Sequence, residues 1–256
     1  MSRIERTFRT LKDEGRRAFI PYIMAGAPSI RRTEEIFGSL VAAGADIVEL
    51  GVPFTDPVAD GPAIQRAAER AISQGVTLRQ VLALVGRLRL KSEVPIVLMT
   101  YYNPVYRYGE EAFFAEAARV GVDGVIVPDL PPDEAHATVA SARRAGVDVI
   151  FLLAPNATPA RLRMVARASS GFTYYVSIMG ITGAHLKLEP QVVSQIEEAR
   201  RAGRKPVCLG FGVSTPEEAH AVAEFADGVI VGSAIVRRTE EPGLDDFLAD
   251  LRSAIG

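Results

Sequence analysis

The stretch VELGVPFTDPVADGP (48–62) sets three carboxylates, Glu49, Asp56 and Asp60, close together among prolines and glycines. A carboxylate held in a poorly solvated place has a raised pKa and can exchange protons near neutral pH, which is general acid–base chemistry. Glu49 is the sharpest candidate. It sits near the end of the apolar run DIVELG (46–51), whose alternation puts Ile47, Glu49 and Gly51 on one face and Val48 and Leu50 on the other. With Val48 and Leu50 packed on helices, Glu49 points the other way, either as a proton shuttle or as the structural partner of a buried cation. Asp60 precedes Gly61 and Pro62 and serves equally as a second catalytic acid or as the cap of the helix PAIQRAAERAIS. Asp56, followed by Pro57, reads as turn chemistry.

Other chemistries find less support. The three histidines, His136, His185 and His220, show no metal-ligand spacing, so no metal site is expected. A single cysteine, Cys208, and the lack of a GxSxG motif speak against nucleophilic hydrolysis. Lys205 only begins a strand, which disfavours a Schiff base. The segments GFGVST (210–215) and GSAIVRR (232–238) place glycine and serine where strands turn into helices, a setting in which backbone N–H groups bind phosphate. Tyr22, Tyr101, Tyr102, Tyr174, Tyr175 and Phe211 lie near strand exits, where they suit a flat apolar ligand or simply fill a core.

These residues need elements to hold them. Eight short apolar runs begin at Phe19, Asp46, Pro95, Asp123, Asp148, Phe172, Lys205 and Asp227, and each is followed by a helical pattern. Phrases such as AAGADIV, RVGVDGV and RAGVDVI recur where a helix hands over to a strand. The count predicts a (β/α)8 barrel rather than an open doubly wound sheet, and no linker divides the chain, so residues 1–256 are expected to form one domain. Residues 2–14 predict an additional N-terminal helix with Ile4, Phe8 and Leu11 on one face, capping the barrel's lower end. In such a barrel the site lies at the C-terminal ends of the strands. Two long loops leave that end, the 48–62 stretch and SIMGITGAHLKLEP (177–190), whose Gly180 and Gly183 would let it act as a lid.

With 256 residues, 48% of them hydrophobic, the chain has material for a large core. Its net charge of −2 gives no footprint for nucleic acid or an anionic membrane, although a local basic patch could hold a small anion. No apolar run is long enough to span a bilayer, and no signal-peptide core is present at the N-terminus; a cytoplasmic protein is expected.

VELGVPFTDPVADGP, PDLPPDE, GITGA, GFGVST and DGVIVGSAIV, in this order and over nearly the whole chain, resemble the signatures of the tryptophan synthase alpha chain family. The resemblance implies a (β/α)8 barrel that cleaves indole-3-glycerol phosphate to indole and glyceraldehyde 3-phosphate. It also implies an alpha2beta2 complex with a beta chain that carries pyridoxal phosphate, this chain itself holding no cofactor. Carried over by motif, the proton-shuttling glutamate is Glu49, the aspartate that meets the indole N–H is Asp60, and the assisting tyrosine is Tyr174, a choice strand parity alone does not make. Tyr22, Met99, Tyr101, Leu152 and Phe211 would line the indole pocket, with Thr182 in the lid. Gly183, Gly212, Gly232 and Ser233 would hold the phosphate, and Pro53 and Asp56 would face the beta chain. The chain departs from the family at Met24 and Ala27, and at Met179 and His185 in the lid. The alternatives are a stand-alone lyase, another phosphosugar barrel, or a non-catalytic phosphate-binding regulatory subunit.

Overall fold

Every strand divides its side chains between two cores. In the computed structural model, which describes residues 1–176, 189–210 and 212–256, Ile20, Tyr22 and Met24 of β1 (Ala18–Met24) point inward and join Val97, Ile126, Ile150, Tyr174, Cys208 and Ile230 from the other strands. Their neighbours Phe19 and Ile23, with Val48, Leu50, Ile96, Leu98, Val125 and Leu209, pack outward on the helices. This period-two division, buried on both faces, is what a parallel barrel requires.

The remaining strands are β2 (Val48–Gly51), β3 (Ile96–Met99), β4 (Gly124–Ile126), β5 (Asp148–Ile150), β6 (Leu152–Leu153), β7 (Thr173–Val176), β8 (Val207–Gly210) and β9 (Gly228–Val231). All pairings are parallel, in the order β5-β4-β3-β2-β1-β9-β8-β7-β6. The two ends of that order, β5 and β6, are halves of the single run DVIFLL. The eight expected runs therefore become nine strands because the fifth is parted at Phe151. There the Phe151 N–H donates to the Ser169 hydroxyl at 3.2 Å, while the Phe151 carbonyl accepts from the Tyr174 N–H at 3.2 Å. Inside–outside alternation continues across the break, with Ile150 inward, Phe151 outward and Leu152 inward. The sheet closes on itself through this run.

The lower end of the barrel explains the recurring Asp before strands. Asp46, Asp123 and Asp227 each stand just before a strand and accept an N–H from the start of the preceding one, from Phe19, Ile96 and Val207 at 2.8 to 2.9 Å. An arginine closes each junction: Arg252 on Asp46 at 2.7 Å, Arg89 on Asp123 at 2.7 Å and Arg200 on Asp227 at 2.9 Å. At the fourth such place Ser170 does the same for Val149 at 2.7 Å. These side chains satisfy backbone donors that strand ends leave unpaired. Helix α1 (Arg3–Glu14) then covers this end. Ser2 and Glu5 form its capping box, and Ile4, Phe8 and Leu11 are buried, with the Phe8 ring 5.8 Å from that of Phe172.

Among the described residues one helix, or in three places two, follows each strand except β5, which runs directly into β6. The connections with two are α3 (Pro62–Ser73) and α4 (Leu78–Arg89) after β2, α5 (Tyr102–Tyr108) and α6 (Glu110–Val120) after β3, and the short α11 (Ser233–Arg238) and α12 (Leu244–Ile255) after β9. The others are α2 (Ile30–Ala42), α7 (His136–Ala145), α8 (Pro159–Ala168), α9 (Pro190–Gly203) and α10 (Pro216–Ala223). Among the described residues, no helix is long and apolar enough to cross a membrane.

Candidate active site

Glu49 lies on β2 in register with Tyr22 of β1 and Val97 of β3, and its side chain enters the barrel. It is 1% exposed, and neither carboxylate oxygen has a hydrogen-bond partner among the described residues. Among the described residues no cation pairs with it, as the structural role weighed from the sequence would require. Burial pushes its pKa up to about 8, and the nearby charge of Asp60 adds to the shift. A group left so poorly satisfied inside a barrel is destabilising unless a ligand uses it.

Asp60 is not a helix cap. The cap of α3 is Gly61, which offers no side chain, and Pro62 occupies the first turn. Glycine between the aspartate and the helix puts Asp60 one residue too early to reach the free N–H groups. Its carbonyl instead accepts from the Gln65 side chain at 2.7 Å, and its half-buried carboxylate lies within hydrogen-bonding reach of the Tyr101 hydroxyl. Burial raises the Asp60 pKa and the Tyr101 bond opposes that rise. Tyr101 is itself fixed: its hydroxyl accepts from the Ala59 N–H at 3.1 Å, and its ring stacks on Phe54 at 5.1 Å. Phe54 was not foreseen as a site residue; its proximity to Tyr101 follows from loop geometry that one sequence does not display.

The tyrosines divide by parity. Tyr22 and Tyr174 point into the barrel, where Asp60 and Glu49 both act on their hydroxyls. Tyr175 points outward and donates to Gln195 at 2.5 Å. Each inner ring is seated over a glycine on the adjoining strand. A β-carbon on Gly51 would lie 2.7 Å from Cζ of Tyr22, and one on Gly210 would lie 2.8 Å from Cζ of Tyr174. Both glycines end strands on the inward parity, where the absence of a side chain leaves room for a neighbouring ring. Met99 is buried on the same inner surface, and Leu152 is partly buried against it. Met24 and Ala27 also join that surface.

Beyond β9, the strand next to β1, Gly232 caps α11 without a side chain and Ser233 is its first residue, both half-buried. The N–H groups of Ile235 and Val236 both bond the Gly232 carbonyl, so the helix starts at once and presents its first amides to the mouth. Gly212 is exposed, with φ of 94°. Further along GFGVST, Glu218 accepts the N–H groups of Ser214 and Thr215 at the capping box of α10. Those two amides are therefore engaged within the chain itself. Thr182 and Gly183, with the departures Met179 and His185, and Phe211 lie outside the described residues.

In the 48–62 loop, Pro53 is buried, whereas Thr55, Asp56 and Val58 are exposed. Asp56 is thus open to solvent, whereas Pro53 is covered within the chain itself. His136 and His220 are exposed on their helices. Among the described residues no group of three or more His, Cys, Asp or Glu is placed to hold a metal ion.

The arrangement, one buried and one half-buried carboxylate with a glycine-capped helix start at the same barrel mouth, agrees with what comparison brings. The family described as tryptophan synthase alpha chain matches residues 8–251. The tryptophan synthase alpha chain of Geobacter sulfurreducens is 51% identical, covering 100% of both chains; that of Burkholderia multivorans is 46% identical, covering 100% of this chain and 97% of the other. The crystal structure of tryptophan synthase subunit alpha from Legionella pneumophila superposes with a TM-score of 0.90 at 37% identity, covering 100% of this chain and 98% of that one. A chain of tryptophan synthase from Mycobacterium tuberculosis in an aminoacrylate-bound form gives 0.91 at 37% identity with 100% coverage of both. Over its whole length, in sequence and in fold, this chain belongs to the tryptophan synthase alpha chain family.

Proposed function

We propose that Glu49 and Asp60 carry the lyase reaction of this alpha chain, the cleavage of indole-3-glycerol phosphate to indole and glyceraldehyde 3-phosphate. The observation behind this reading is Glu49: a carboxyl with both oxygens unpartnered among the described residues and a pKa near 8 is protonated at neutral pH, yet close enough to it to give the proton up.

The chemistry then balances with two carboxyls. Glu49 delivers its proton to indole C3, and the positive charge that develops on the ring nitrogen is met by ionised Asp60 through the N–H. Glu49, now a carboxylate, takes the proton of the side-chain hydroxyl next to the ring. As that oxygen becomes the aldehyde carbonyl, the bond to C3 breaks and its electron pair returns to the ring. Indole and glyceraldehyde 3-phosphate result, and Glu49 is again protonated. Tyr174 packs beside the two acids as the assisting residue, and Tyr22, Met99, Tyr101 and Leu152 clasp the indole. Gly212, Gly232 and Ser233 hold the phosphate, so that binding energy from the far end aligns the scissile bond with Glu49.

The indole goes to a beta chain that carries pyridoxal phosphate, within an alpha2beta2 complex, and Asp56 with its exposed neighbours contributes to that contact. No cofactor is required in this chain, and a cytoplasmic setting suits the pathway. The test is indole release by Glu49→Gln, alone and with a beta chain. Loss of about 10² to 10⁴ in rate, with glycerol 3-phosphate still bound, is expected. Turnover near that of the unchanged protein would overturn the assignment.

A further inference from the structure

At the lower end of the barrel, opposite Glu49, a cleft of about 550 Å³ lies between the second half of α1, the turn into β1 and the turn from α9 into β8. Seven cations line it against two acids, Glu5 and Asp227, a local excess of five in a chain whose net charge is −2. Two of the cations are neutralised: Arg200 by Asp227, and Arg16 by Glu14. The other five have no carboxylate partner among the described residues. The side chains of Arg17 and Lys205 bond only the backbone carbonyls of Ala223 and Gly203, and those of Arg9, Lys12 and Arg204 have no hydrogen-bond partner among the described residues. Like charges gathered in a concave, partly apolar place repel one another, and a multiply charged anion relieves that repulsion.

Arg204 adds an independent observation. Helices α1, α6 and α7 end on Gly15, Gly121 and Gly146 in the left-handed conformation. Helix α9 ends the same way on Arg204, at φ 53°, ψ 36°, the only described non-glycine residue with positive φ. Here Gly203 is one place earlier because a β-carbon there would lie 2.5 Å from the Ala166 carbonyl of α8. That packing explains the position of the glycine. It does not explain why the strained residue after it is a long cation at the cleft edge.

We infer that this cleft is a second binding site, for a small anion bearing two or more phosphate or carboxylate groups, gripped by Arg9, Lys12, Arg17, Arg204 and Lys205 over a floor of Phe8 and Leu11. A long polyanion does not fit the same description, since the site is a cleft and not a stripe and the rest of the chain is net negative.

Inorganic pyrophosphate is the probe. Titration calorimetry on the full chain, with saturating glycerol 3-phosphate filling the phosphate end of the active site, should show one salt-sensitive site. The triple variant R9Q/K12Q/R204G should bind pyrophosphate at least tenfold more weakly while its lyase rate stays within twofold. Arg204→Gly alone should raise Tm by about 2 °C without the anion, because glycine relieves the left-handed strain, and should lose part of the Tm rise that pyrophosphate causes. No pyrophosphate uptake by the unchanged protein, or equal affinity in the triple variant, would overturn the site. So would a stabilised R204G that keeps the full pyrophosphate-induced rise, since Arg204 would then be a turn residue only.

Discussion

The ring of Tyr22 on β1 stands directly over Gly51 on β2, close enough that a β-carbon on the glycine would overlap its hydroxyl and lie 2.7 Å from its Cζ. The pairing register allows this approach: Tyr22 is level with Glu49, and Gly51 is the next inward residue above it. The missing side chain at Gly51 is thus the space into which the ring leans, beside the proposed proton shuttle.

Gly51→Ala should therefore push Tyr22 into the mouth of the barrel. Overpacking of this kind costs about 1 to 3 kcal/mol. Because the displaced ring enters the indole pocket, kcat/KM should fall by more than the stability loss explains. Steady-state kinetics alongside denaturant unfolding would separate the two effects; normal kcat/KM in a folded G51A protein would show that Tyr22 has room elsewhere.

Glu49 should make stability fall as pH rises. Its folded pKa of about 8 lies above the 4.5 of an unfolded glutamate. The folded state then holds the proton more tightly, so its contribution is complete below 4.5 and is lost as pH rises through about 8. Glu49→Gln, which cannot ionise, should match the parent near pH 5 and exceed it at pH 9 by an amount on the order of a few kcal/mol. Unfolding curves across that range would check it, and a difference independent of pH would place the raised pKa in doubt.

Much of this site was readable from the chain because it follows strand parity. Alternation in DIVELG fixed the direction of Glu49 once Val48 and Leu50 were assigned to helices, and the same rule separates Tyr174 from Tyr175 when the register of β7 is known. Parity fails where the chain leaves the strands. Asp60 was open to a capping role because a single glycine decides whether an aspartate reaches the helix amides, and its link to Tyr101 joins loops from different strands. The resemblance placed Pro53 toward a partner, and nothing in the local sequence signals that this proline is covered within its own chain. The division of the fifth run at Phe151 depends on the Ser169 hydroxyl capturing one N–H, a tertiary contact with no local signature.

The junctions at the lower end should govern stability and leave chemistry alone. Asp123 is 5% exposed, accepts the Ile96 N–H, and pairs with both Arg89 and Arg3. Asp123→Ala strands a mostly buried guanidinium and an amide donor, a loss of about 3 kcal/mol. Since these groups sit at the opposite end of the strands from Glu49, kcat at a temperature well below the new Tm should be unchanged. A fall in kcat without a fall in stability would contradict this division of labour between the two ends.

Tyr101 offers the most direct way to move the acid side of the pH–rate profile. Its hydroxyl, fixed by the Ala59 N–H and by stacking on Phe54, favours the ionised form of Asp60 and so opposes the rise that burial imposes. Tyr101→Phe keeps the ring and the stack but removes that bond, so the Asp60 pKa should climb. If ionised Asp60 is what meets the ring nitrogen, the acid limb of kcat must then shift to higher pH, while the limb belonging to Glu49 moves little. The rate at the optimum should drop by about tenfold, in line with the loss of one hydrogen bond to a charged group. Tyr101→Leu removes the stack as well and would lower the rate at every pH, so the phenylalanine variant is the informative one. An acid limb that stays in place in Y101F would mean that Asp60 is held ionised by something other than Tyr101, or that its ionisation does not limit the reaction.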